Sequence, residues 1–155
     1  MKILVVYYSK NGTTKKLAEK LADTLHADCE CIIDKKKRTG LIGFLTGGRD
    51  GARKISTLIG PVSKNAADYD IVLIGGPLWG FKSVAPAART YLIQNRDAIK
   101  KAGFFITCGG SPADEAFNDL KAVYGKPVVG TLLIRQRDID LAETDKKVKE
   151  FAAGI

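Results

Sequence analysis

Three short stretches of the sequence carry residue types suited to gripping a small phosphorylated ligand. The first, Ser9-Lys10-Asn11-Gly12-Thr13-Thr14, offers three hydroxyls, an amide and a glycine just ahead of a helical pattern. Free backbone N–H groups at a helix N-terminus attract phosphate. Lys15 and Lys16 follow in the expected first turn, where the helix dipole disfavours cations unless an anion compensates. Serine and threonine are also ordinary helix caps, so the loop reads either as a phosphate grip or as a polar turn. It contains neither GxxxxGK[ST] nor GxGxxG, which favours a monophosphate over a diphosphate. The second stretch, Pro77-Leu78-Trp79-Gly80-Phe81, follows Gly75-Gly76 and places the only tryptophan at an expected loop tip. A flat aromatic ligand would stack on that indole; alternatively, Trp79 and Phe81 roof the core. The third, Thr107-Cys108-Gly109-Gly110, consists of small residues whose amides are free to bond the edge of a heterocycle.

The first loop holds no cysteine that could act as a nucleophile, and no catalytic residue is assigned. A small tyrosine phosphatase needs a cysteine in the first loop, and a response regulator needs acidic residues there and an aspartate after the third strand. This sequence has Tyr8-Ser9 and Gly75-Gly76 at those places. Cys29, Cys31, Cys108 and His26 lack the paired spacing of a zinc site, so no metal is expected. The cysteines read as buried thiols of a reducing compartment, and His26 as a solvated cap at the end of a helix.

Bringing the three loops together requires strands that end at one edge. Five apolar runs, 3–8, 29–33, 71–74, 104–107 and 128–134, are rich in β-branched and aromatic residues and read as strands. Helical patterns separate them. Leu17, Leu21 and Leu25 mark the first, and Ala88, Tyr91, Leu92 and Asn95 a second behind Pro86. Ser111 as cap, with Pro112 and Asp114 in the first turn, leads into Phe117, Leu120 and Val123. Val148 and Phe151 face inward on the last helix, with Gly154 past its end. The runs near 3, 71 and 104 are apolar on both faces, as strands covered by helices on each side must be. Right-handed crossovers then predict an α/β fold: an open, doubly wound sheet of five parallel strands in the order 2-1-3-4-5, with ligands bound outside the carboxyl ends.

The chain has 155 residues, 45% hydrophobic and 27% charged, the values of an ordinary globular domain rather than a disordered or disulfide-stapled chain. A single domain over 1–155 is expected, with no membrane span and no secretory leader, hence a cytoplasmic protein. The net charge of +8 is uneven. A glycine-rich connection at about 35–64 holds Lys35, Lys36, Lys37, Arg38, Arg49, Arg53, Lys54 and Lys64 against Asp50 alone. Such a field attracts anionic partners, or it is simply a solvated loop.

In this order, Ser9-x-Asn11-Gly12-x-Thr14, Pro77-Leu78-Trp79-Gly80 and Thr107-Cys108-Gly109-Gly110 resemble the flavodoxins, small electron carriers that hold flavin mononucleotide (FMN) noncovalently. The resemblance spans essentially the whole chain and implies a flavodoxin-like fold and low-potential electron transfer. Ser9, Lys10, Asn11, Gly12, Thr13 and Thr14 would hold the phosphate. Leu78, Trp79 and Gly80, flanked by Pro77 and Phe81, would cover one side of the isoalloxazine, and Thr107, Cys108, Gly109 and Gly110 its pyrimidine edge. Gly80 would sit at the peptide that rotates toward the flavin. Phe81 and Lys82 stand where many flavodoxins carry carboxylates, and Lys82 is expected to favour the negatively charged reduced cofactor. The partners implied are a reductase and an acceptor protein whose acidic surfaces meet the basic 35–64 segment. An NAD(P)H-dependent FMN quinone or flavin reductase on the same fold is the alternative. A nucleic-acid-binding module ranks below both, because no such motif is present.

Overall fold

The computed structural model describes residues 1–35, 57–80 and 82–155; Phe81 and positions 36–56 of the basic connection lie outside the described residues. The elements are β1 (Ile3–Tyr7), α1 (Thr13–Leu25), β2 (Asp28–Cys31), β3 (Ile71–Trp79), β4 (Ser83–Val84), α2 (Pro86–Asn95), β5 (Ala102–Cys108), α3 (Asp114–Tyr124), β6 (Val128–Arg135) and α4 (Ala142–Ala153). Five strands pair in parallel in the order β2-β1-β3-β5-β6. With the two-residue β4 set aside, this is the expected 2-1-3-4-5 arrangement. β4 folds back antiparallel on the end of β3, with Leu78 opposite Val84 and Trp79 opposite Ser83.

Alternation along the strands sorts the core into two layers. Leu4, Val6, Val72, Ile74, Phe104 and Ile106 face Tyr91 and Leu92 of α2 and Phe117 and Leu120 of α3. Ile3, Val5, Tyr7, Leu73 and Phe105 face Leu17 and Leu21 of α1 and Val148 of α4. Gly75 makes room for a side chain of the neighbouring strand. A Cβ there would stand 2.2 Å from Cε2 of Phe105, so the phenyl ring fills the volume of the missing side chain. α2 and α3 are joined by a mostly buried ion pair, in which Arg89 Nε donates to Asp119 Oδ2 at 2.7 Å. The described ends of the long connection are pinned as well. The backbone N–H and the hydroxyl of Ser63 donate to the buried Glu30 carboxylate at 2.8 and 2.7 Å, and the Thr57 hydroxyl donates to Asp34 at 2.9 Å.

Several expectations are corrected. β3 runs on through Trp79 instead of stopping at 74, because Gly75, Gly76 and Pro77 continue to pair with Phe105, Ile106 and Thr107. Pro77 lies past the end of β1, whose last register partner is Gly75, so its missing N–H breaks no bond to that strand. α3 begins at Asp114 with Ala113 as its uncapped N-cap. Ala113 is buried, and its packing, rather than a hydroxyl cap from Ser111, sets the helix start. Only Cys108 is a buried thiol; Cys29 is half-buried and Cys31 exposed, since β2 is the outer strand of the sheet. His26 does cap α1, exposed and left-handed at φ 50°, with its N–H turned to Asp23 O and Ala22 O.

Candidate functional site

The carboxyl ends of β1 and β3 meet in a cavity of about 240 Å³ lined by Ser9, Lys10, Asn11, Thr13, Thr14, Pro77, Leu78, Trp79 and Gln136. Its floor is the start of α1. Gly12 is the N-cap residue at φ 88°, in the left-handed region that only glycine enters cheaply, and its N–H donates to Ser9 Oγ at 3.1 Å. That turn folds the loop over the helix end. α1 has no side-chain cap and no acidic residue in its first turn, so the unpaired N–H groups of its opening turn are left for an outside acceptor. The donor set is that of an anion site.

Thr14 and Thr107 fasten the loop to the sheet. Their hydroxyls lie 2.7 Å apart and both residues are almost fully buried, so the bond ties the start of α1 to the end of β5. Thr107 therefore spends its side chain beneath the cavity. Cys108 is buried, and Gly109 and Gly110 are exposed beyond β5, outside the cavity lining.

Trp79 forms the aromatic wall. It is 7% exposed and stacks on Tyr8 with ring centroids 5.9 Å apart and planes inclined by 19°. The Lys10 ammonium lies 5.6 Å from the indole centroid. The residue expected at a loop tip thus sits at the end of a strand, stacked on Tyr8 and lining the cavity. Gly80, at φ 61°, turns the chain immediately after it.

The lysines near the loop have protein partners. Lys16 pairs with Asp140 at 2.9 Å and Lys15 with Glu19 at 3.7 Å. Their first-turn placement is answered by these carboxylates, which the dipole argument drawn from sequence left out. Lys82 lies 3.9 Å from Glu115, so its charge is shared with α3. Two residues of the site escaped the sequence reading. Gln136, just past β6, enters the cavity because the last strand ends at the same edge as the others, and Tyr8 backs the indole. Attention to the residues flanking every strand end would have found both.

Among the described residues, no group of three or more His, Cys, Asp and Glu side chains is placed to hold a metal, and no helix is long and apolar enough to cross a membrane. No protein-family model matches the chain, and no curated protein matches it. Solved structures do. A flavoprotein from Lactobacillus acidophilus, solved in complex with FMN, is 23% identical and superposes with a TM-score of 0.73 over 90% of this chain and 96% of its own. The two-electron reduced flavodoxin of Megasphaera elsdenii is 18% identical, with a TM-score of 0.62 over 99% of each chain. The oxidised flavodoxin 2 of Bacillus cereus is 17% identical, with a TM-score of 0.61 over 99% of this chain and 97% of its own. With its strand order, its helices on both faces and its likeness to these structures, the chain has the flavodoxin-like doubly wound α/β fold.

Proposed function

We propose that the chain is a single-domain, cytoplasmic electron carrier that holds FMN noncovalently at the carboxyl edge of its sheet. The observation that carries this reading is the uncapped start of α1, folded under the Ser9–Thr14 loop and facing the indole of Trp79 across one cavity. The residues fit the group: amides and hydroxyls for a phosphate, and an aromatic wall for a flat ring. The cavity is smaller than the roughly 300–1,000 Å³ of typical ligand sites. It would suit the phosphorylated tail, and Gly80 and the loop after β5 would then border the ring.

FMN supplies the redox chemistry when bound, taking up and releasing electrons. The protein positions it and controls access. Ser9, Asn11, Thr13 and Thr14 would bind the phosphate with the opening N–H groups of α1; Lys10 adds positive charge at the mouth. Trp79, held by Tyr8, would cover one ring face and exclude water from it, and Leu78 and Pro77 would complete that wall. Gly80 gives the adjoining peptide freedom to turn. Gly109 and Gly110 would lie along the heterocycle edge. The partners of such a carrier are a reductase and an acceptor, with acidic surfaces meeting the basic 35–64 segment.

Titration of the purified chain with FMN in a calorimeter tests the cofactor: saturable one-to-one binding is expected, and no heat would end the proposal. Adding NADPH anaerobically to the FMN-loaded chain tests the carrier role. Flavin absorbance should persist until a reductase is supplied; direct bleaching would assign the chain to the NAD(P)H-dependent flavin reductases instead.

A further inference from the structure

A second group of reactive side chains lies away from the cavity, on the outer strand of the sheet. Cys29 and Cys31 alternate along β2 and so project on the same face. Cys29 is half-buried against the core layer beneath α1, and Cys31 is exposed. Tyr7 is the register partner of Cys31 across the β1–β2 pair; the Cys31 thiol lies 3.8 Å from Ile32 O and shares a hydrogen bond with the Tyr7 hydroxyl. Burial above all, and then the Glu19 carboxylate on the flank of α1, pushes the Cys29 thiol above its ordinary value.

We propose that Cys29 and Cys31 form a two-thiolate site for a soft monovalent cation of the Cu(I) class. Residues two apart on a strand have Cα atoms about 6.6 Å apart. Taking the zinc–thiolate length of about 2.3 Å as a guide to a metal–thiolate bond, a linear S–metal–S unit spans about 4.6 Å, so each thiol need lean inward by only about 1 Å. A disulfide would need Cβ atoms about 3.8 Å apart, which the strand could supply only by buckling. Among the described residues no third His, Cys, Asp or Glu side chain joins the pair, and an ion content with two sulfurs fits it better than zinc, whose sites take four ligands. Soft thiolates select that class. Exposure of Cys31 gives the ion its entry, while the α1 flank shields the Cys29 side. On binding, two S–H bonds yield their protons to solvent and two S–Cu bonds form; no electron moves.

The test uses the full reduced chain, titrated anaerobically with Cu(I) against bicinchoninate, whose coloured Cu(I) complex reports competition. One Cu(I) per chain should be withdrawn from the dye, and X-ray absorption should show two sulfur neighbours. Cys29→Ser and Cys31→Ser should each weaken competition by more than about a hundredfold, since losing an outer-shell partner alone costs up to about that much. Both variants should keep the wild-type circular dichroism. No competition by the wild type, equal competition by the double variant, or more than two sulfur neighbours would each overturn the assignment.

Discussion

The bond between Thr14 and Thr107 offers the sharpest test of how the candidate site is held. Their hydroxyls are 2.7 Å apart, and the residues are 2% and 0% exposed. Replacing one threonine by valine keeps the shape and strands the other hydroxyl in a dry environment, which costs roughly 1–3 kcal/mol. Replacing both removes donor and acceptor together, and an apolar pair of the same shape is nearly neutral. Thr14→Val and Thr107→Val should therefore each lose about 1–3 kcal/mol, while the double variant loses about 1 kcal/mol or less. The coupling shows as a double variant more stable than either single one. Urea denaturation of the four proteins measures it, and melting points should follow at about 2–4 °C per kcal/mol for a chain of this size. Two results would refute the reasoning: singles within about 0.5 kcal/mol of wild type, or a double variant whose loss is the sum of the singles. In the first case water reaches the pair; in the second the hydroxyls act independently.

Trp79→Ala should weaken FMN binding by on the order of 1 kcal/mol, about fivefold, through lost stacking; unchanged affinity by calorimetry would place the ring elsewhere. Gly75→Ala should destabilise by about 2–3 kcal/mol or prevent folding, because its methyl would collide with the Phe105 ring at 2.2 Å; a wild-type urea midpoint would contradict the close approach. Tyr69 and Tyr91 are both pushed up to about 12, Tyr69 by burial and then by its hydrogen bond to Asp28, Tyr91 by burial above all. A raised folded pKa stabilises in full below the ordinary value near 10 and is lost as pH climbs toward 12. The urea midpoint should thus fall over that window, and a flat profile would exclude the effect. Tyr91→Phe should flatten part of the slope and raise stability at neutral pH by about 1 kcal/mol, since the hydroxyl is buried with no partner among the described residues.

What was legible in the sequence follows from what periodicity encodes. Strands buried on both faces announce themselves through unbroken apolar runs, so the sheet order and the edge where β1, β3 and β5 end could be read without coordinates. The ends of elements were less legible. Sequence chemistry marked Gly75-Gly76-Pro77 as punctuation, yet these residues continue β3 because Phe105 needs the space that Gly75 vacates. That requirement belongs to a residue thirty positions away. Likewise Ser111-Pro112 has the composition of a helix start, but burial of Ala113 decides where α3 begins.

The same distinction governs the site. Which residues stand near the carboxyl edge is a matter of strand order, and eight predicted residues do line one cavity with Gln136. What each side chain touches is a matter of tertiary reach. Lys15 and Lys16 suggested an anion because the helix start alone gives them no partner, but Glu19 lies one turn on and Asp140 arrives from beyond β6. Thr107 suggested a ligand contact because it ends a strand, but its hydroxyl is consumed by Thr14. The anion reading does not depend on these contacts. With Lys15 and Lys16 paired to carboxylates and Thr107 engaged below, the opening turn of α1 still lacks a cap and an acid. The helix end is therefore kept open by backbone placement at Gly12, and a positively charged neighbour is not needed to explain why an anion would settle there. An alanine at Gly12 would meet nothing within 4 Å, so its cost, about 1–2 kcal/mol from the left-handed conformation alone, isolates that placement. If Gly12→Ala left phosphate-bearing ligands bound as tightly as before, the lysines and hydroxyls would have to be restored as the source of the attraction.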